Sequence, residues 1–213
     1  MTWKKCAGSG MLAGMLITGC YYYLDKRIAI IVYDVLFGDP RFSFVSADIP
    51  DTLTPAVCAI VAIAGMTYYH YARKRIFNKR AQFFLFIVYA IPIIFFLESI
   101  LKIVIGRIDT RFWLERPDRE EFQWFHGTGH YGGFPSGHMA VFSVLMIILW
   151  NYYPRYRLAY GGFILVLALS LIVTDYHFIS DIIGGAWLGA FVYFITPKIN
   201  PRLQENSMSR YQP

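Results

Sequence analysis

Two histidines stand at the starts of apolar, helix-like runs, and both have neighbours suited to phosphate chemistry. His138 closes the stretch Gly132-Gly133-Phe134-Pro135-Ser136-Gly137-His138-Met139, where glycines and a proline end a polar loop directly before a long apolar run. A flexible turn feeding a helix N-terminus leaves backbone N–H groups pointing outward without intrahelical partners. Such an end attracts anions, phosphate in particular. His177 precedes the last apolar run, and Asp181 follows it by four residues. Positions i and i+4 share a helix face, so this carboxylate can accept a hydrogen bond from the imidazole, fix its tautomer and raise its basicity. A histidine held in that way can act as a nucleophile towards phosphorus. An ordinary His–Asp pair at a helix start has the same spacing.

The longest polar segment, 102–137, supplies cations: Lys102, Arg107, Arg111 and Arg116. Ammonium and guanidinium groups are donors for phosphate oxygens, although taken alone these are loop charges. Glu98 lies one turn before Lys102 and can hold its ammonium. An ionisable residue that deep in an apolar run is a functional candidate, and a helix-end salt bridge reads the same way.

The elements that must position these groups are apolar. Of 213 residues, 56% are hydrophobic and only 16% charged, where a soluble domain has about a quarter charged. The apolar residues fall in blocks, which points to one membrane domain over 1–213. The net charge of +6 does not point to nucleic acid, because the basic residues lie at block edges and form no separate basic domain. Cys6, Cys20 and Cys58 are an odd set in apolar surroundings. They form neither a disulfide framework nor a zinc motif and read as small hydrophobes.

Spans are expected at about 7–24, 52–72, 81–101, 139–153, 158–174 and 178–196, with Pro92 a kink in the third. The first could instead be a signal peptide, and Ile17-Thr18-Gly19-Cys20 resembles a lipoprotein cleavage box. Asp25-Lys26-Arg27 breaks the apolar run, 28–37 is too short to span and lies at the interface or dips in, and Gly38-Asp39-Pro40 and Ile49-Pro50-Asp51 signal loops. A polar tail occupies 197–213. With both termini cytoplasmic, twelve Lys and Arg fall inside and eight outside, as the positive-inside bias requires. Lys102, His138 and His177 then reach one outer face. His126 and His130 invite a metal reading, but no cysteine or carboxylate pattern supports it. His70 reads as structural, and Tyr21-Tyr22-Tyr23, Tyr68-Tyr69 and Tyr152-Tyr153 as interface anchors.

Together these residues resemble the motifs of the type-2 phosphatidic acid phosphatase superfamily, membrane relatives of vanadium haloperoxidases. Pro135-Ser136-Gly137-His138 is the middle motif intact. Ser170, His177 and Asp181 match the third, followed by Gly184-Gly185. Lys102 and Gly106-Arg107 fit the first. Leu171 replaces the arginine of the third motif, and Asp109-Thr110 stands where the first has Arg-Pro; an Arg-Pro pair appears only at Arg116-Pro117.

The resemblance implies an all-α bundle of six transmembrane helices in a bacterial-type inner membrane, with its site on the periplasmic face. It implies metal-independent chemistry without a cofactor. His177 would attack phosphorus, oriented by Asp181, and His138 would protonate the leaving oxygen. Lys102, Ser136, the Gly137 amide and replacements among Arg107, Arg111 and Arg116 would hold the phosphate. Phosphatidic acid, phosphatidylglycerol phosphate, undecaprenyl pyrophosphate and lipid A are the substrate classes implied. The expected partners are a lipid phosphate and the bilayer, with no nucleic acid and no obligatory protein. The 102–137 loop, with Trp113, Glu115, Asp118, Glu120, Glu121 and Trp124, is expected to select the substrate. Phosphotransfer to a second lipid, or a non-catalytic lipid-binding relative, are the alternatives; a transporter would place paired charges at mid-membrane.

Overall fold

The computed structural model describes residues 2–37, 49–127 and 129–203. Their regular structure is helical, with no β-strand among them and one isolated bridge between Arg107 and Phe122. Eight α-helices follow in order: α1 (Trp3–Tyr23), α2 (Asp25–Val32), α3 (Ile49–Arg73), α4 (Lys79–Ile105), α5 (Thr110–Glu115), α6 (Gly137–Tyr152), α7 (Arg157–Val173) and α8 (Ile179–Ile199). The Gly38-Asp39-Pro40 loop and the tail beyond Leu203 lie outside the described residues.

Local chemistry sets the ends. Asn78 caps α4 by accepting from the Ala81 N–H at 2.9 Å, and Ser136 caps α6 by accepting from the Met139 N–H at 3.4 Å. Helix α4 ends at Gly106 in the left-handed region, φ 53°. A Cβ there would meet the Gln123 carbonyl oxygen at 1.9 Å. Helix α4 also runs one turn further than the apolar block suggests, so Lys102 lies inside it, and it continues through Pro92. The charged Asp25-Lys26-Arg27 triplet follows the end of α1, as expected of a break in the apolar run, whereas Ile49-Pro50-Asp51, expected in a loop, starts α3. The triplet opens α2, which runs into a wider helical turn at Tyr33–Phe37.

The core lies where α4, α6 and α8 meet, and Ile94, Val144, Ile148 and Val192 are wholly buried there. Helices α6 and α8 share the most extensive contact because glycines let their backbones touch. A Cβ at Gly185 would come within 2.4 Å of the Ser136 carbonyl oxygen, and one at Gly189 within 2.6 Å of that of Ala140. Helix α1 packs along the other side of α8, α3 against α4, and α7 against α6. The outer side of α7 is apolar and exposed at Leu158, Leu165, Val166 and Leu169.

Among the described residues, three helical stretches are long and apolar enough to cross a membrane: Lys79–Ile105, Pro154–Val173 and Ile179–Ile199. Helix α6 is apolar but has 16 residues, about 24 Å at 1.5 Å per residue against a hydrocarbon core of about 30 Å. Helix α1 has 21 residues, but Gly8, Gly10, Gly14, Gly19 and Ser9 dilute its hydropathy.

Close approach of α6 and α8 makes a specific demand. Gly189→Ala should lower stability in detergent by about 1–3 kcal/mol through overpacking. Gly14→Ala, where nothing lies within 4 Å of the added Cβ, should cause no loss. Thermal unfolding of both variants checks this.

Candidate active site

One cavity of about 530 Å³ opens where four chain segments converge. The C-terminal end of α4 brings Glu98 and Lys102, the loop and short helix α5 that follow bring Asp109 and Arg111, the start of α6 Gly137 and His138, and the α7–α8 turn Tyr176 and His177. Backbone bonds lash the loop to the end of α4. The Gln123 N–H donates to Gly106 at 2.7 Å, the Phe125 N–H to Val104 at 3.1 Å, and the Asp109 N–H to His130 at 2.8 Å.

His177 is held by a tight turn in which the N–H groups of Tyr176 and His177 both donate to the Leu171 carbonyl, at 3.0 and 3.2 Å. Its ring is 7% exposed. Its Nδ1 lies 3.7 Å from Asp181 Oδ2 and has no hydrogen-bond partner among the described residues. That separation exceeds a hydrogen bond, and catalytic pairs commonly tighten only when substrate is bound. Asp181 is fully buried; its Oδ2 accepts from the Phe178 N–H at 3.1 Å, as an acidic residue in a helix's first turn can.

Tyr176 lies against both histidines, with ring centroids 5.7 Å from His138 and 5.2 Å from His177. The Arg111 guanidinium stands 5.1 Å from the same ring. Arg111 also donates twice to the Thr174 carbonyl, from Nη2 at 2.9 Å and Nε at 3.2 Å. It thereby brings a cation to the end of α7, where the third motif of the family would put one. Leu171, which occupies that motif position, is packed into the core at 1% exposure.

The other expected cations differ in surroundings. Lys102 Nζ pairs with Glu98 Oε1 at 2.8 Å, and Glu98 in turn crowds Gly137, where a Cβ would come within 2.3 Å of the same oxygen. Arg107 is 3% exposed and lies outside the cavity lining, bonded to Asp25 Oδ2 at 2.8 Å, to Ser180 Oγ and to Asp181 Oδ1. Arg116 is exposed, 6.0 Å from the Phe112 ring, and does not line the cavity. Ser136 is fully buried and its hydroxyl caps α6. The first-turn N–H groups of α6 still face the loop side of the helix end.

Three further residues shape the site without a motif to signal them. Asp109 sits in the cavity, and burial lifts its carboxyl to about 6, against the pull of His177, Lys102 and His130. Asp175, beside Arg111, is pushed up to about 7 by burial, which Arg111 opposes. Asp25, on α2, is 2% exposed and reaches Asp181 through Arg107. His130 stacks on Phe112 at 4.1 Å, whereas His126 is exposed with Nδ1 3.0 Å from the Trp124 carbonyl. Among the described residues, no three His, Cys, Asp or Glu side chains are grouped to hold a metal ion.

The sequence profile described as the PAP2 superfamily matches residues 83–205, more than half of the chain. The chain belongs to the PAP2 superfamily. Within this family it is similar to lipid A 1-phosphatases of Rhizobium johnstonii and Rhizobium etli. The first is 29% identical over 106 residues (47% of this chain, 41% of the relative), the second 28% over 112 residues (50% and 45%). It is also 28% identical over 83 residues to an inositol phosphorylceramide synthase catalytic subunit of Schizosaccharomyces pombe (38% of this chain, 20% of the relative). The matches therefore span less than half the length of each of these relatives. A solved structure, the first transmembrane PAP2 type phosphatidylglycerolphosphate phosphatase from Bacillus subtilis, aligns over 92% of this chain and 88% of its own, at 18% identity and a TM-score of 0.39. With its apolar helices, this PAP2 protein is membrane-embedded.

Asp109 gives the site a testable pH dependence. Its raised pKa means that the carboxyl is neutral below about pH 6 and adds negative charge to the cavity above it. Asp109→Asn should bind tungstate several-fold more tightly than the wild type at pH 8, and equally at pH 5. Calorimetric titration at both pH values checks the sign; a pH-independent difference would remove Asp109 as its cause.

Proposed function

We propose that this PAP2 protein is a membrane lipid phosphatase working through a phosphohistidine. The observation that carries this reading is the meeting of His138, His177, Lys102 and Arg111 in one cavity, with Asp181 behind His177. In this reading Asp181 accepts from Nδ1–H, leaving Nε2 of His177 to attack phosphorus in line. The bond from phosphorus to the lipid oxygen breaks, and His138 gives that oxygen a proton. Water then attacks the phosphohistidine, His138 takes a proton from it, and inorganic phosphate leaves with His177 restored. Lys102, Arg111 and the α6 N-terminal amides of Gly137 and His138 stabilise the charge that shifts onto the equatorial oxygens.

Arg111 is the preferred phosphate arginine because it lines the cavity and Thr174 orients it. Arg107, in its buried pairing, and Arg116, away from the cavity, are less suited. Ser136 contributes by fixing the helix start. The membrane arrangement proposed is six crossings, both termini cytoplasmic, in a bacterial inner membrane with the site on the periplasmic face. It is supported by the distribution of Lys and Arg and by the bacterial relatives. The substrate proposed is a phosphomonoester or pyrophosphate headgroup of the phosphatidic acid, phosphatidylglycerol phosphate, undecaprenyl pyrophosphate or lipid A class. Similarity to an inositol phosphorylceramide synthase supports a second reading, in which a lipid hydroxyl replaces water as phosphate acceptor.

Phosphate release from a panel of these lipids is the test. His177→Ala should lose at least about 10⁴-fold in rate while still inserting and folding. Arg111→Ala should lose about 10²-fold in kcat/KM, some 2.7 kcal/mol of transition-state stabilisation. Vanadate should inhibit and a chelator should not. Turnover by His177→Ala would exclude this histidine as nucleophile, and no release from any lipid would favour a non-catalytic lipid-binding role.

A further inference from the structure

We infer that Asp25 and Arg107 are positioning residues for the His177–Asp181 pair, so that the N-terminal segment completes a site whose motifs all lie after residue 101. The inference rests on the proposed role of His177. Arg107 is wedged between two carboxylates. Its Nη2 donates to Asp25 Oδ2 at 2.8 Å, and its Nη1 donates to Asp181 Oδ1 and to Ser180 Oγ. Ser180 closes the ring, its hydroxyl donating to Asp25 Oδ2 and its N–H to Asp25 Oδ1 at 3.1 Å. Asp25, Arg107, Ser180 and Asp181 are between 0% and 3% exposed. The rings of Phe178 and Tyr21 flank the guanidinium, at 4.6 and 5.3 Å.

Such a network does more than fill space. Two carboxylates share one cation, so Arg107 cannot wholly neutralise Asp181, and Asp181 stays a strong acceptor for the imidazole. Arg107 fixes Oδ1 and the Phe178 N–H fixes Oδ2, which sets the face that Asp181 presents to Nδ1. Removing the charge of Asp25 would place the whole cation on Asp181 and weaken its hold on His177. Asp25 lies 58 residues before the matched family segment, whose first residue is 83; the motifs alone therefore do not contain this part of the apparatus.

The test uses the full chain in detergent with Asp25→Asn, which keeps size and shape, and Asp25→Glu as the conservative variant. Histidine NMR titration, with His177 assigned by its disappearance in His177→Ala, reads the imidazole directly and needs no substrate. Glu98, Lys102, Asp109, Arg111, Glu115, His130 and His138 line the same cavity and are unchanged in each variant, as is Asp181. Asp25→Asn should lower the His177 titration midpoint and cut kcat for phosphatidic acid at least tenfold at unchanged KM. Asp25→Glu should recover part of both. A purely structural pair would lower the unfolding temperature and leave the His177 midpoint where it was. That outcome, or wild-type kcat in Asp25→Asn, overturns the inference. Turnover by His177→Ala would instead overturn the phosphohistidine reading. If phosphatidic acid is not hydrolysed by the wild type, the titration alone decides.

Discussion

The start of α6 and the turn before α8 can border one cavity only if the two helices nearly touch. In this chain the absence of side chains at Gly185 and Gly189 allows it, because α8 lies against backbone atoms of Ser136 and Ala140. Everything at the site follows from that approach. It brings the N-terminus of α6 beside the turn that carries His177, and lets the Ser136 N–H donate to the Asp181 carbonyl at 3.1 Å. The N-terminus of α6 opens on the cavity, while that of α8 faces the buried carboxylates, the Ser180 N–H donating to Asp25 Oδ1 at 3.1 Å. A bundle with ordinary side-chain spacing between α6 and α8 would hold the same residues several ångströms too far apart.

Much of this was legible in the sequence because it is local. Glycine, proline and serine before an apolar run specify a capped helix start, and i, i+4 spacing specifies the Lys102–Glu98 contact at 2.8 Å. What was not legible is long-range. Asp25 in a charged triplet reads as a break between apolar runs; its burial depends on Ser180, 155 residues away. Arg107 reads as a loop cation for the same reason, since nothing near it in sequence announces two carboxylates. Leu171 shows the converse. The motif position of the missing arginine is filled by Leu171 in the core, and the guanidinium that reaches the end of α7, at Thr174, comes from Arg111, 63 residues earlier in the chain. Among the described residues α4, α7 with the turn before it, and α8 are long and apolar enough to cross a membrane, whereas α1 is diluted by glycines and α6 is short.

The charges of the site are arranged in two layers with different costs. The cavity layer holds Lys102, Arg111 and Asp109 with partial access to water, where a change of ionisation is cheap. The layer beneath holds Asp25, Arg107 and Asp181 out of water. A buried pair stripped of one partner leaves an uncompensated charge that costs about 3–5 kcal/mol. The upper layer can therefore vary with substrate, while the lower one resists change.

That lower layer also bears on modularity. The segment that sequence similarity recognises begins at residue 83, yet its Arg107 is neutralised in part by Asp25 from α2. A shuffled gene that joined the recognised segment to a foreign N-terminus would inherit the motifs and a buried guanidinium lacking half its counter-charge. The buried charge network of this chain thus reaches back beyond the segment that the family profile matches, to α2.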